Sequence, residues 1–328
     1  MALLAAACLA PPSAARAADP LTAMQSTNIL SLTFENDLFA NADRHYTNGV
    51  RLGYLSAESD LPRWADKLAN AFPLFLQGGN RRIGFALGQS MYTPQDISRA
   101  NPDPDDRPYA GWLYASVGVV AESGPRLDIL QLDFGIVGPA SQADGTQKLV
   151  HRLTGAKDPR GWAYQIENEP GVVLTYQRKW RGLYELTPFG FGADVTPYAG
   201  GNLGNVLTQG VAGAMVRLGL DLPADYGPPR VAPSLTGSDF YLPRKDFGWY
   251  LFAGIEGRAV ARNIFLDGNT FKNSRGVDKK PLVGDLQIGV AVTIEDVRLS
   301  YTHVFMTKEF HGQARADSFG AFSISMLF

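Results

Sequence analysis

Large apolar residues alternate with small or polar residues along much of this chain. The alternation is clearest between Leu286 and Ile294, where every second residue is Leu, Ile or Val. A period of two predicts a β-strand with one apolar face. The Glu295-Asp296 pair then predicts a tight turn into a second strand over residues 297–305, which together make a β-hairpin. The last residues alternate in the same way and end on Phe328, which predicts a terminal strand.

Ten further segments alternate in the same way, and each has about the 10 residues that a membrane β-strand requires. They are residues 28–35, 46–55, 82–91, 111–121, 126–137, 171–180, 184–191, 195–203, 209–218 and 249–259. With the three C-terminal strands they make thirteen candidates, roughly a dozen, which is plausible for an even-numbered barrel.

The segments between the strands differ in character. Residues 61–77 have helical spacing, with Trp64, Leu68 and Phe72 on one side, and residues 147–154 could form a second short helix. Residues 223–243 are rich in Pro, Gly, Ser and Asp and predict a long loop, of the kind that projects from a barrel rim.

Composition narrows the class of protein. After the N-terminal segment no apolar run reaches the roughly 20 residues that a membrane-spanning helix needs, which argues against a helical membrane protein. The chain has 35 Gly, 11% aromatic and only 19% charged residues. This composition favours an all-β protein, a transmembrane antiparallel β-barrel of the outer-membrane type, although a periplasmic β-sandwich would also fit. A net charge of -2 gives no reason to expect nucleic acid as a partner.

The N-terminal residues predict export. Residues 1–17 combine a short apolar run with the small-x-small pattern Ala15-Arg16-Ala17 that signal peptidase recognises. We expect residues 18–328 to form a single β-barrel domain, since no linker or internal repeat is evident. Cys8 is the only cysteine and would leave with the signal, so a thiol nucleophile is not expected. Gly-x-Ser-x-Gly and His-Glu-x-x-His motifs are absent as well.

Polar residues cluster at the junction of the first two predicted strands. Asn36-Asp37 ends the first strand, and an adjacent amide oxygen and carboxylate can hold a hard cation such as Ca²⁺. The same pair is also ordinary turn chemistry. Asn48-Gly49 is a good turn pair too, yet it falls where the second strand begins. Thr47 would put a hydroxyl beside Asn36 if the two strands pair.

Two more clusters lie downstream. Arg107 could bind a phosphate or carboxylate, or it could pair with Asp106 or Asp43 and organise the wall. His151 is one of four histidines and therefore one of few candidates for a general base at neutral pH. A run that includes Gln165 could orient it, although a lone histidine is more often a packing or surface residue.

Together these clusters resemble the outer-membrane lipid A deacylase family. The matching segments are Glu35-Asn-Asp-Leu-Phe, Asp43-Arg-x-Tyr-Thr-Asn-Gly, Asp106-Arg-Pro-Tyr-Ala-Gly-Trp, His151, and Gly161-Trp-x-x-Gln-Ile-Glu-Asn-Glu-Pro. The resemblance implies a twelve-stranded barrel that removes the 3′-linked acyloxyacyl group from the lipid A of lipopolysaccharide, with calcium. It places Asn36 and Asp37 at the metal, Thr47 at an active-site hydroxyl, and His151 as the base that activates water.

Some residues depart from the family pattern. Arg99 stands where the family has an active-site lysine, and Lys157 and Pro159 stand where it has an acid and a tyrosine. These departures bear on substrate selectivity more than on hydrolysis. We assign Arg99, Arg107 and Gln165 to substrate binding.

We therefore expect a monomeric, calcium-dependent esterase in the bacterial outer membrane, with lipopolysaccharide as its substrate. Two alternatives remain open. One is a non-catalytic barrel, either a small pore or a structural protein, and the other is an outer-membrane phospholipase.

Overall fold

The computed structural model describes residues 27–37, 45–155, 157–231 and 238–328. The predicted signal peptide at residues 1–17 and the Asp43-Arg44 pair lie outside these ranges.

Twelve antiparallel strands close into a barrel, which confirms the predicted fold class. Neighbours in the chain pair with each other, and the first and last strands close the wall through pairs such as Ile29 with Leu327. The strands are β1 (Ile29–Asn36), β2 (His45–Leu55), β3 (Asn80–Thr93), β4 (Ala110–Ser123), β5 (Arg126–Val137), β6 (Glu169–Trp180), β7 (Gly192–Gly204), β8 (Leu207–Leu220), β9 (Phe247–Asn263), β10 (Leu282–Ile294), β11 (Val297–Met306) and β12 (Asp317–Leu327).

The strand predicted over residues 184–191 is wrong as a barrel strand. Only Tyr184–Leu186 is extended, and it pairs with β7 beside the wall while β6 pairs with β7 directly. All three of its residues are exposed, and a 3₁₀ turn at Pro188–Gly190 ends it. Proline has no N–H to donate to a strand ladder, so an alternating sequence around Pro188 cannot continue as a strand.

The wall has an apolar outer face and a polar inner face. In β1, Leu30 and Leu32 are exposed on the outside, whereas Ser31, Thr33 and Glu35 are buried on the inside. This alternation is that of a strand between lipid and a barrel interior. We call the end of the barrel where Ile29 and Leu327 pair the terminal rim, and the opposite end, where β1 stops, the loop rim.

The loop predicted over residues 223–243 does not project from the rim; it folds back into the barrel. Most of its described residues are buried, and the short strands Ala224–Asp225 and Tyr241–Leu242 pair with each other. Asp225 accepts hydrogen bonds from Arg217, from Arg298 at 3.0 Å and from the Tyr250 hydroxyl at 2.6 Å. This buried network anchors the segment, so we call residues 221–231 and 238–246 the plug.

In the described ranges, three short α-helices lie outside the strands: α1 (Arg63–Ala71), α2 (Ala143–Thr154) and α3 (Ile264–Asp267). The first two confirm the predicted helices, although α1 is shorter than residues 61–77 and α2 begins four residues before residue 147. Trp64 and Leu68 share one side of α1, as predicted; that side is exposed, whereas Ala65 and Ala69 are buried. Among the described residues, no helix has the length and apolarity needed to cross a membrane.

Removing the carboxylate at the centre of the plug network should destabilise the barrel. We expect Asp225→Ala to lower the free energy of unfolding by about 3–5 kcal/mol, because Arg217 and Arg298 would keep buried charges that lack their common partner. The exposed Asp278 is the matched control, and Asp278→Ala should change stability by less than about 0.5 kcal/mol. Urea unfolding in lipid vesicles measures both; equal stability of the two variants would contradict the role given to Asp225.

Candidate active site

A polar position lies on the lipid-facing side of the wall near the loop rim. Asn36 has the same orientation along β1 as Leu32, which is 45% exposed, yet Asn36 is only 3% exposed. Strand pairing aligns Asn36 with Asn48, Asn48 with Met91, and Met91 with Gly111. We call these four aligned positions the outer row. An amide on this face requires cover, because hydrocarbon offers it no hydrogen-bond partner.

A β-bulge adds Thr47 to the outer row. The register between β2 and β3 shifts between Tyr46 and Asn48, which leaves Thr47 as the extra residue. Tyr46 turns into the barrel, while the Thr47 hydroxyl lies 2.7 Å from the hydroxyl of Thr93. Thr93 has the outward orientation of Met91, so Thr47 joins Asn48 on the outer side. The two strands pair as expected, and Asn48, which follows Thr47, lies opposite Asn36.

Asn48-Gly49 is part of a strand and not a turn. Gly49 faces the interior, where a Cβ atom would collide with the Tyr46 hydroxyl. The Tyr46 hydroxyl in turn donates to Glu35 at 2.7 Å, and Glu35 also accepts from Arg230 of the plug at 2.6 Å. Glu35, the residue before Asn36, is therefore bonded to the plug on the inner side of the wall.

Helix α2 covers part of the outer row. It packs against β3 and β4, and a Cβ at Gly111 would collide with Ser141 and Ala143. The buried residues of the helix are Ala143, Gln147 and His151, which recur every four residues and so share one face. His151 is 2% exposed and lies two turns, about 12 Å, beyond Ala143 along the helix. The sequence around α2 thus brings a buried histidine to the outer side of the wall.

The chain that follows α2 fixes the tautomer of His151. Its ring Nδ1 lies 2.5 Å from the backbone oxygen of Lys157. Because a carbonyl oxygen can only accept, Nδ1 must carry the hydrogen, and Nε2 is then the basic nitrogen of the neutral ring. The arrangement selects the tautomer of the neutral ring in which Nε2 can act as a general base.

The run that was expected to orient His151 has other partners. Glu167 contacts Asn269 through its backbone, and the Asn168 side chain accepts from the backbone of Ala140. The Gln165 side-chain oxygen is buried with no hydrogen-bond partner among the described residues. This oxygen is an acceptor that a ligand could use.

The two predicted arginines occupy different surroundings. Arg107 is fully buried, donates to Glu309 at 3.1 Å, and its guanidinium lies 4.8 Å from the ring centre of Tyr92 inside the barrel. These contacts favour a part in the wall. Among the described residues the guanidinium pairs with Glu309, while Asp106 accepts from the Arg107 backbone N–H at 2.8 Å; Asp43 lies outside the described ranges. Arg99 is half exposed at the loop rim, where it pairs with Asp103 at 3.2 Å.

Acidic side chains surround Arg99 at the loop rim. A cavity there of about 310 Å³ is lined by Arg99, Asp96, Asp103, Asp106 and His45. Burial would raise the pKa of Asp106, but hydrogen bonds from His45 and from the backbone of Gln95 bring it below the usual value. Asp106 is therefore ionised at neutral pH and adds negative charge to this rim.

The oxygen atoms at the end of β1 suit a calcium ion. Asn36 and Asp37 are adjacent and buried, and they supply an amide oxygen and a carboxylate, which are ligands that Ca²⁺ takes. Asn48 is paired opposite Asn36, and its side-chain nitrogen has no hydrogen-bond partner in the described part of the chain. No group of three or more His, Cys, Asp or Glu residues that could bind a metal is found among the described residues. Amide, backbone and water oxygens would have to complete such a site.

The sequence did not indicate a site role for three residues of this region: Thr93, Gln147 and Gly111. Gln147 accepts from the Trp162 indole at 2.7 Å and holds the loop after α2 against the helix. Its four-residue spacing from His151 is a signal that the sequence contains. The contact of Thr93 with Thr47 depends on the bulge, for which the sequence has no comparable signal.

Comparison with known proteins gives a match over the whole chain. The family model described as "Outer membrane protein LpxR" matches residues 1–328. LpxR from Salmonella typhimurium has a similar solved structure, with 22% identity, a TM-score of 0.73, and coverage of 92% of this chain and 100% of that one. The β domain of the Bordetella autotransporter BrkA, at 11% identity, has a TM-score of 0.44 over 92% of this chain and 99% of that one. No curated protein matches the chain.

The hydroxyl pair in the outer row can be tested by a double-mutant cycle. Thr47→Val and Thr93→Val should each lower the free energy of unfolding by about 1–3 kcal/mol, because each leaves a buried hydroxyl without its partner. The double variant should be less destabilised than the sum of the two, since both polar groups are then gone. Strictly additive losses would show that the two hydroxyls do not interact.

Proposed function

The chain belongs to the LpxR outer membrane protein family, and on this basis we propose that it is a calcium-dependent ester hydrolase that removes the 3′-linked acyloxyacyl group from lipid A. The observation that carries the proposal is the outer row, where polar residues occupy lipid-facing positions beside a helix with a buried histidine. A site on this face is reached from the membrane without passage through the barrel.

The position of the outer row matches the chemistry of the proposed substrate. The acyl chains of lipid A lie in the bilayer and its sugars lie at the surface, so its ester bonds lie near the membrane boundary. The outer row is near the end of β1, next to the exposed apolar band that includes Leu32. Acyl chains could remain against this band while the ester is held beside Asn36 and Thr47.

His151 supplies the base in the proposed reaction. Its Nε2 takes a proton from water, the water oxygen attacks the ester carbonyl, and the same nitrogen then gives the proton to the departing sugar oxygen. The Lys157 carbonyl holds the ring and stabilises the positive charge that His151 acquires in between. The products are the fatty acid and a lipid A hydroxyl, so no covalent enzyme intermediate is needed.

The outer row positions the ester for that attack. The Thr47 hydroxyl, held by Thr93, can contact the substrate near the scissile bond. Asn36 and Asp37 would hold the calcium ion, and a bound calcium ion would stabilise the negative charge that develops on the ester oxygen. For the rest of the substrate, the exposed Arg99 suits a lipid A phosphate and Gln165 offers an acceptor. Arg107 is buried and donates to Glu309, which favours a structural role in the wall.

Two alternatives give different results in the same experiments. A phospholipase could use the same histidine and cation, and its products would be lysophospholipids. A small pore is disfavoured by the plug, which occupies part of the interior next to Arg217 and Arg298. Conductance in planar bilayers would support the pore. Lipid extracts with no deacylated lipid A and no lysophospholipid would exclude both the deacylase and the phospholipase.

Replacement of the base should stop the reaction. We expect His151→Ala to lower the rate of lipid A deacylation by at least about 100-fold, because general base catalysis contributes that much or more. The exposed His311 provides the matched control, and His311→Ala should keep full activity. Mass spectrometry of lipid A incubated with each folded variant measures the lost acyloxyacyl group. Activity of His151→Ala close to the control would exclude the base role.

Calcium should be required, and the requirement should depend on Asp37. We expect EGTA to abolish deacylation and added Ca²⁺ to restore it. Asp37→Asn should raise the calcium concentration for half-maximal activity by at least about tenfold, which corresponds to 1.4 kcal/mol of binding free energy. Asp278→Asn, far from the strand end in sequence, serves as the control. Full activity of the wild type in EGTA would contradict the calcium proposal.

A further inference from the structure

Helix α1 lies on the outside of the barrel, close to the terminal rim. Its residues Ala65 and Ala69 are fully buried in one cluster with Ile83 and Val119. Ile83 and Val119 pair across β3 and β4 and have the outward orientation of the exposed Phe85. The helix therefore covers lipid-facing positions of the wall, and its remaining faces meet whatever surrounds the barrel.

One flank of α1 is polar and is held toward the rim. Asp66 and Asn70 both accept hydrogen bonds from Arg81, at 2.5 and 2.9 Å. Arg81 is the second residue of β3 and lies nearer the rim than Ile83. Because this flank is fixed toward the rim, the opposite flank faces the middle of the membrane-spanning wall.

That opposite flank is apolar and exposed. Trp64 and Leu68 each lie two residues from Asp66, which is about 200° around a helix. Trp64 is 51% exposed and Leu68 is 59% exposed. The chain after the helix continues this surface with the exposed Leu74, whose backbone oxygen accepts from the Tyr176 hydroxyl at 2.8 Å. We call Trp64, Leu68 and Leu74 the apolar flank.

The surroundings of the apolar flank point to lipid. It lies beside the outward column of the wall that contains Phe85 and Leu87, which is part of the band that meets the membrane in an outer membrane barrel. Lys67 is exposed on the side of the helix opposite the buried alanines, where its ammonium group can reach lipid phosphates. Tryptophan is also enriched at the boundary between acyl chains and headgroups.

The position of α1 at the terminal rim identifies the membrane leaflet that the helix meets. The longest connection between strands, residues 138–168, leaves the loop rim, and outer-membrane barrels carry their longer loops on the extracellular side. The terminal rim is then periplasmic. We propose that α1 is an interfacial helix that inserts its apolar flank into the periplasmic phospholipid leaflet, with Lys67 at the headgroups and Arg81 holding the polar flank toward the periplasm. This inference is independent of the enzymatic activity.

Spin labels can measure the depth of each flank. Cys8 is the only cysteine in the sequence, so single labels can be placed in a Cys8→Ser background. The full chain with Leu68→Cys, Lys67→Cys or Leu87→Cys is labelled with a nitroxide and reconstituted into phosphatidylethanolamine–phosphatidylglycerol vesicles. Power saturation then compares collisions with oxygen, which concentrates in lipid, and with a water-soluble nickel chelate. The label at position 87 is the lipid-facing reference.

We expect the oxygen-to-nickel ratio at position 68 to approach that at position 87 and to exceed that at position 67 severalfold. A nickel-accessible label at position 68, similar to position 67, would place the flank in water and overturn the proposal. A label shielded from both reagents would indicate a protein partner on the flank and would overturn it as well. Trp64→Cys provides the same comparison should Leu68→Cys fail to fold.

Discussion

The alternation of the barrel wall is the constraint on which the candidate site depends. A strand in this wall gives every second residue to lipid, and lipid cannot satisfy an exposed amide or hydroxyl. Asn36, Asn48 and Thr47 nevertheless lie on that face, and all three are buried. They are compatible with the fold only because other parts of the chain cover this end of the wall. Helix α2, which lies over Gly111, provides part of that cover and carries His151.

The inside of the wall supports the same strand end. Glu35 precedes Asn36 and faces inward, where it accepts from the Tyr46 hydroxyl and from Arg230. The plug thus occupies part of the interior and also holds the strand from which Asn36 and Asp37 extend. A site built on a barrel strand that is held from inside keeps its geometry better than a site on a mobile loop. This link gives the buried plug a part in positioning the outer row.

The sequence predicted the barrel well because its main signal is local. Alternation with a period of two does not depend on distant residues, and it located twelve barrel strands within a few residues of their ends. Prediction from the sequence was poorer where tertiary contacts determine the local structure. Pro188 interrupts an alternating segment, and the helical spacing of residues 61–77 does not reveal that Ala65 and Ala69 face the wall. Small residues allow the helix to approach the wall closely, and a hydrophobic pattern alone favours the larger side chains.

The candidate site was predictable in its residue types and less so in its geometry. Asn36, Asp37, Thr47 and His151 are buried near the loop rim, but whether Thr47 faces outward depends on a bulge that only the pairing of β2 with β3 reveals. The partner of His151 proved to be the Lys157 backbone, which has no side-chain signature.

We propose that calcium binding and catalysis take place at the outer row together with Asp37, on the lipid-facing side of the wall. Anomalous diffraction from crystals grown with calcium would locate the ion. We expect a peak about 2.3–2.6 Å from the side-chain oxygens of Asn36 and Asp37, on the outer side of β1. A peak confined to the acidic cavity around Asp103, or the lack of any peak at Asn36 and Asp37 in saturating calcium, would contradict it.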